Sequence, residues 1–482
     1  MRVLENLKPK KVFNYFEDIA SIPHGSRNTK QISDYLVDFA KKHNFEYYQD
    51  KLNNVIIIKE ATEGYENAEP IIIQGHMDMV CEKENGCSID FEKDGLSLIV
   101  DGDFIKAKDT TLGADDGIAV AYALAILDSD DIEHPRLEVV ITVDEEIGML
   151  GAIDIDLSML KGKKLLNIDS ELEGEFLTSC AGGLSLHSSI PVKRVNQKGI
   201  ELDINISGLD GGHSGAEIHK EHGNANIIMG RVLGELLEHI PFGIKNLAGG
   251  QKDNAIPREC NAQILIPLEG KSLVEQIIVK LEKTLKNEFM VSDKNICISI
   301  ENYGVCEANV LDYSSVNKVL FFLRTTPNGV VNMSQVINGL VETSLNLGIM
   351  ELEEHELNIV TSIRSSVTSR KFDLTKRVTS IIEILGGEVK IEGDYPAWEY
   401  KPESELRTQI EKVYIEQFGT APVFNAIHAG LECGLFSEKI PELDCVSFGP
   451  TMFDIHTPKE RLSISSTERY WRFLLKLLKE SK

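Results

Sequence analysis

Residues 69–80 read EPIIIQGHMDMV: a run of branched apolar residues that ends on His-x-Asp. The run predicts a β-strand, and in an extended chain residues two apart point to the same side, so His76 and Asp78 share a face. Two further runs have the same build. LEVVITVDEE (137–146) delivers Glu145 and Glu146, and KLLNIDSE (164–171) delivers Asp169. A fourth apolar run, 54–59, also reads as a strand, and 11–20, 29–43 and 114–127 have helical spacing. Strands alternating with helices predict an α/β layer with a mostly parallel sheet. In such sheets the functional groups gather at the carboxyl ends of the strands, where these acids and His76 fall.

The chain has 482 residues, more than one ordinary core holds, so two or three domains are expected. From about residue 184 the texture changes. Alternating segments (184–192, 201–207, 262–267, 297–302, 357–364) are interleaved with helical stretches (224–239, 273–289, 334–347, 371–385), which predicts an α+β insertion. After Trp398 the α/β pattern resumes with a helix at 403–418, a short strand at 446–448 and a closing helix at 465–479. Ser465 and Glu468 fit a capping box for that last helix. The expected organisation is therefore a catalytic domain from 1–183 and 396–482, interrupted by an inserted domain at 184–395.

Lys and Arg number 50 against 76 Asp and Glu, a net charge of −26. That balance argues against nucleic acid or an anionic membrane as partner. No apolar stretch approaches the roughly 18 residues of a membrane-spanning helix, and the N-terminal residues carry no signal-peptide pattern. The eight cysteines have no C-x-x-C spacing and are expected to be reduced. A cytoplasmic protein is the expectation.

Five side chains stand out as metal-capable: His76, Asp115, Glu146, Asp169 and His456. Two histidines and three carboxylates suit two divalent ions if one carboxylate bridges, and zinc accepts this mix of nitrogen and oxygen. Three carboxylates and one bound hydroxide also balance two divalent cations. A paired-metal site activates water, so the pattern points to a metallohydrolase. Taken singly, each residue has a plainer reading. His76 fits a hydrogen-bonded core histidine as well. Asp115 or Asp116, in TLGADDG (111–117), fits a helix-start acid. Asp144 to Glu146 fit a solvated turn, although three acids at the mouth of an apolar strand are costly without a nearby positive charge.

Eight segments, in order, then carry a resemblance: GHMDMV (75–80), TLGADDG (111–117), VDEEIGMLGA (143–152), NIDSE (167–171), GLDGGHSG (208–215), NAIPRE (254–259), HAGLECG (428–434) and IHTPKERL (455–462). Together they resemble the aminoacylase/carboxypeptidase superfamily of co-catalytic zinc peptidases, and within it the aminoacyl-histidine dipeptidase branch. The resemblance implies a zinc-peptidase catalytic domain with an inserted lid or dimerisation domain that closes over the site. It implies two Zn²⁺ per chain, replaceable by Mn²⁺ or Co²⁺. His76, Asp115 and Asp169 would hold one ion and Asp115, Glu146 and His456 the other, with Asp115 bridging. Glu145 would be the general base and Asp78 would orient His76. His213 would bind the oxyanion, Asn254 and Arg364 would clamp a substrate carboxylate, and His428 would line the pocket. The implied substrate is a dipeptide, Xaa-His including β-Ala-His, and the implied assembly is a homodimer. This branch commonly has Asn where the chain has Asp116, which would add negative charge near the site. An N-acyl-amino-acid deacylase or a tripeptide aminopeptidase would use the same metals. A non-catalytic binding protein would be expected to lack a ligand or the base, and here all are present.

Overall fold

Three strands of mostly buried apolar residues, Ile71–His76, Leu137–Thr142 and Lys164–Asn167, lie parallel in the computed structural model, which describes residues 2–482. Ile71–His76 is the middle of the three. Its first residue faces Leu137 on one side and Lys164 on the other, so all three strands run out at nearly the same level. Asp444–Ser447 joins parallel to Lys164–Asn167. Around this parallel centre the sheet of eight strands is completed by antiparallel neighbours. Val55–Lys59 and Glu46–Gln49 lie on one flank, and Glu175–Cys180 pairs with Asp444–Ser447 on the other.

The strands of the centre are buried on both faces, as a parallel sheet covered by helices requires. Helix Ala114–Leu127 packs on Ile71–His76 and on helix Lys10–Ala20. Every residue of it except Asp115 is buried, which explains a composition apolar on all sides rather than along one stripe. Gly75 permits the close approach, because a Cβ there would lie 2.6 Å from Ala119 Cβ. The closing helix, Ile464–Lys479, buries Phe473, Leu474, Leu477 and Leu478, with Trp471 and Leu475 packed partly against the same core. Its N-cap is Ser463, whose hydroxyl accepts from Ser466 N at 3.2 Å. The expected Ser465–Glu468 box does not form. Ser465 is instead bound through its amide and hydroxyl to Asp103, and Glu468 pairs with Arg472.

These elements make one compact unit: the residues up to Ser179, with Tyr400–Ala426 and Leu431–Lys482. The second unit, Cys180–Glu399 with Ile427–Gly430, has its own core around a sheet of nine strands. Its strand pairs are antiparallel, and helices Ala225–His239, Lys271–Glu288, Tyr313–Thr325 and Thr368–Ile384 make it α+β. One expected helix is absent. Residues 334–347 form a turn, in which Ser334 Oγ accepts from Ile337 N, and then the strand Val341–Leu352. That strand lies inside the sheet and its first eight residues are all buried, so it lacks the alternation that marks a half-exposed strand. Helix Tyr313–Thr325, capped by Asp312 accepting from Ser315 N at 2.7 Å, is not anticipated by the sequence reading.

All eight cysteines are free thiols. Among the described residues no helix is long and apolar enough to cross a membrane. The Phe473 ring meets Phe448, Phe176 and Tyr414 at centroid distances of 5.6, 5.7 and 5.8 Å. Phe473→Ala is therefore expected to destabilise the protein by about 3–5 kcal/mol. The denaturant midpoint of the first unit measures this, and an unmoved midpoint would contradict the packing.

Candidate active site

The common level at which the central strands end gathers the acids. His76 closes its strand and is 1% exposed. Its Nδ1 donates to the backbone oxygen of Asp78 at 3.0 Å, which turns Nε2 toward the carboxylates. Nε2 lies 3.2 Å from Asp115 Oδ1 and 3.7 Å from Asp169 Oδ1. The other Asp115 oxygen, Oδ2, lies 3.1 Å from His456 Nε2, which is also 3.0 Å from Glu146. One carboxylate thus faces a histidine with each oxygen, and the two histidines come from opposite ends of the chain.

Local backbone explains how Asp115 reaches this position. Gly113, at φ 65°, turns the chain, and Asp115 (φ −80°, ψ 103°) and Asp116 (φ −118°, ψ 31°) are not helical, so the helix proper begins after both acids. The Asp115–Asp116 peptide bond is cis. Asp116 points inward. It is 0% exposed and its Oδ2 accepts from the His76 amide at 3.2 Å. Burial, with Asp169 beside it, lifts its carboxyl well above the usual range, which disfavours the added charge expected at this position. Asp78 accepts from Ser26 Oγ at 2.8 Å and from Glu145 N at 3.1 Å, tying the His76 segment to the backbone of Glu145.

The electrostatics follow from acids crowded around two imidazoles. Burial alone would lower His76, but Asp115, Asp169 and Asp78 hold it well above its ordinary value. Hydrogen bonds to Asp115 and Glu146 push His456 up to about 11. Burial works to raise Asp115, and the bonds from His456 and His76 prevail and hold it low. Acids with less of that help go the other way: burial takes Asp169 up to about 6 and Glu145 well above the carboxylate range. Three groupings of this cluster bring ligand atoms close enough to share a metal ion: Asp115 with Glu146 and His456, His76 with Glu145 and Glu146, and His76 with Asp116 and Asp169.

In the second unit, His213 lies on a two-residue strand paired with Ala255–Ile256. Its Nδ1 accepts from Gly215 N at 3.2 Å and Ala216 N at 3.0 Å. A ring nitrogen that accepts cannot carry the proton, so the proton sits on Nε2. Burial and then Arg364 lower the pKa of His213, which keeps the ring neutral. Arg364 Nη1 donates to Tyr395 Oη at 2.8 Å, while its buried Nε has no partner. His428 Nε2 pairs with Ser344 Oγ at 2.7 Å, and burial followed by Arg364 takes this imidazole down to about 3. A Cβ at Gly215 would lie 2.6 Å from His428 O, 3.0 Å from His213 Cε1 and 3.2 Å from Arg364 Nε, so these three residues converge on one glycine. Asn254 is exposed and lies instead with His213, Lys252 and Arg258 on a groove of about 620 Å³. A fourth metal-capable grouping, Asp210 with His222 and Asp293, is also in this unit, but both Asp293 oxygens accept backbone amides, of Asp210 and Gly223.

Residues 72–480 match the peptidase family M20/M25/M40. The chain belongs to this family. The M20 chain is 37% identical to the cytosol non-specific dipeptidase of Escherichia coli (strain K12), over 100% of its own length and 99% of that protein. It is 35% identical to the crystal structure of an aminoacylhistidine dipeptidase from Vibrio alginolyticus, with a TM-score of 0.92 over 99% of this chain and 98% of that one. Aminopeptidase PepT from Bacillus cereus shares the fold, at 14% identity and a TM-score of 0.59 over 98% and 99% of the two chains.

Two buried acids of this M20 chain have no role in the sequence reading, although both lie in segments quoted for the resemblance. Glu432, 0% exposed, accepts from Thr142 Oγ1 at 2.7 Å and from Gln74 Nε2. Glu460, 3% exposed, accepts from the loop that carries Asp115. Burial lifts both to about 7.

A pH dependence follows for the metal-free protein. Asp169, Glu432 and Glu460 have folded pKa values above their unfolded ones, so each stabilises the fold fully below its unfolded value and loses that contribution as pH rises through about 6 to 7. Raised His76 and His456 act in the same direction above their unfolded value. Asp115, held low, is ionised throughout this range and adds no slope. In a chelator the melting temperature should therefore fall between pH 5 and pH 8, and saturating divalent metal should flatten the fall. A flat chelator profile would contradict the electrostatic picture.

Proposed function

We propose that this M20 peptidase is a two-metal dipeptidase. The observation that carries the reading is the Asp115 carboxylate, which faces His76 with one oxygen and His456 with the other. In this reading His76, Asp115 and Asp169 hold one ion and Asp115, Glu146 and His456 the second. The donor set of imidazole nitrogens and carboxylate oxygens suits Zn²⁺, with Mn²⁺ or Co²⁺ as substitutes. The cluster also fits a cation chemically, since without one its charge is balanced by protons drawn onto both histidines. When bound, a metal pair activates water and polarises the scissile carbonyl.

The remaining roles belong to side chains. Glu145 takes a proton from the attacking water and delivers it to the leaving amine, the two-step proton transfer that one carboxylate beside a metal ligand can perform. Asp78 positions both partners, through its carbonyl to His76 Nδ1 and its carboxylate to Glu145 N. His213 presents a neutral Nε2–H suited to a developing oxyanion. Arg364, with a buried Nε–H lacking a partner, suits a substrate carboxylate, and Asn254 and His428 complete the binding groups. The full-length likeness to an aminoacylhistidine dipeptidase and a non-specific dipeptidase supports Xaa-His dipeptides, including β-Ala-His, as substrates. A cytosolic location and a homodimer belong to the same reading; the first is supported by the name of the Escherichia coli relative.

Hydrolysis of a dipeptide panel by protein reconstituted with Zn²⁺ or Mn²⁺ tests this. Xaa-His cleavage is expected, cut by several orders of magnitude in Glu145→Ala while metal stays bound. Arg364→Ala should raise KM for dipeptides by at least about tenfold, the scale of one charge-assisted bond. No cleavage of any dipeptide with two metals bound would sink the reading and make acyl-amino acids and tripeptides the next substrates.

A further inference from the structure

Glu460 accepts four successive backbone amides. Oε2 takes Leu112 N at 2.7 Å and Gly113 N at 3.1 Å, and Oε1 takes Ala114 N at 2.8 Å and Asp115 N at 3.4 Å. An ordinary helix cap satisfies one or two amides. Here one carboxylate spans the whole turn that leads into Asp115 and ends on the amide of Asp115 itself. Its other end is equally fixed. Glu460 N donates to Thr457 O at 3.0 Å, closing a turn directly after His456. Thr457 Oγ1 donates to Asp454 O at 2.7 Å and accepts from Lys459 N at 3.2 Å, and Arg461 pairs with Asp454. His456 sits inside this braced loop at φ 60°.

We propose that Glu460 is a positioning residue that sets the separation of Asp115 from His456, and so determines how the proposed Asp115–Glu146–His456 site binds its ion. This rests on the two-metal reading. The geometry makes the carboxylate specific. Each oxygen serves two donors, and a glutamine offers one acceptor oxygen and an NH₂ group that would point at two amide hydrogens. Alteration of a group that orients a metal ligand typically costs about 10–100-fold in metal affinity or activity.

Glu138 provides a control for plain destabilisation. It too is a fully buried carboxylate that accepts backbone amides, those of Lys161 and Gly162, with Arg136 beside it, but it sits near the amino end of its strand. The experiment measures Zn²⁺ and Mn²⁺ affinity at each site by chelator competition in full-length wild type, Glu460→Gln and Glu138→Gln, together with metal-free melting temperatures and the split of kcat against KM on a cleaved dipeptide. In Glu460→Gln one of the two sites should weaken about 10–100-fold, with a fall in kcat that excess metal partly restores. Glu138→Gln should melt earlier and bind both ions as wild type does. Wild-type metal affinities in Glu460→Gln, or an equal loss of affinity in Glu138→Gln, would overturn the proposal. If Glu460→Gln is insoluble, Glu460→Asp carries the test, because it keeps the charge but is one methylene too short to reach all four amides. Weakened binding in it supports the proposal and unchanged binding overturns it. A wild type that does not bind two ions overturns the underlying two-metal reading instead, and that result is read from the wild type alone.

Discussion

Asp115 gives one carboxylate oxygen to His76 and the other to His456, and much of the first unit is arranged around making that contact. His76 must end its strand level with Thr142, which parallel pairing in register provides. The helix carrying Asp115 must lie close against that strand, which Gly75 allows. The last part of the chain must return beside the first, which the strand Asp444–Ser447 secures by pairing parallel to Lys164–Asn167. None of these is costly in itself. The costly part is electrostatic, because carboxylates removed from water need positive charge or donors nearby. Where an imidazole faces each oxygen of the acid, as at Asp115, the pKa is held low; where burial dominates, as at Glu145 and Asp169, it rises.

Much of this was legible in the sequence because it depends on residues that are expensive to misplace. Acids directly after apolar runs, as in VDEE and NIDSE, demand a compensating charge, and that demand can be read without a structure. The central strands could be read for a similar reason: the apolar runs at 71–74, 139–143 and 165–168 are short and sharply bounded. The helical reading of 334–347 failed where that logic has no grip. The strand Val341–Leu352 contains Glu342, Thr343, Ser344 and Asn346, all buried, each with a polar partner supplied from elsewhere in the fold, Arg370 in the case of Glu342. Their presence breaks the alternation that identifies a strand, and only tertiary contacts explain them.

Glu460 and Glu432 were illegible for a related reason. The partners of Glu460 are backbone amides, which every sequence has, and those of Glu432 are a threonine and a glutamine on strands far away in the chain. A metal ligand advertises itself through its residue type and its neighbours. A carboxylate that organises a loop through amides leaves no such pattern, although it is just as dependent on its position.

The second unit handles charge in the opposite way. Its converging residues, His213, Arg364 and His428, contain one permanent cation and two titratable rings. Burial comes first and Arg364 second among the causes that depress both rings, His428 as far as about 3. Both imidazoles therefore favour the neutral form, and the amides of Gly215 and Ala216 fix which nitrogen of His213 holds its proton. A group of this kind offers one fixed positive charge and oriented neutral donors. In the first unit burial instead lifts Asp169, Glu432 and Glu460 to between about 6 and 7, so near neutrality protons compete with a cation for Asp169.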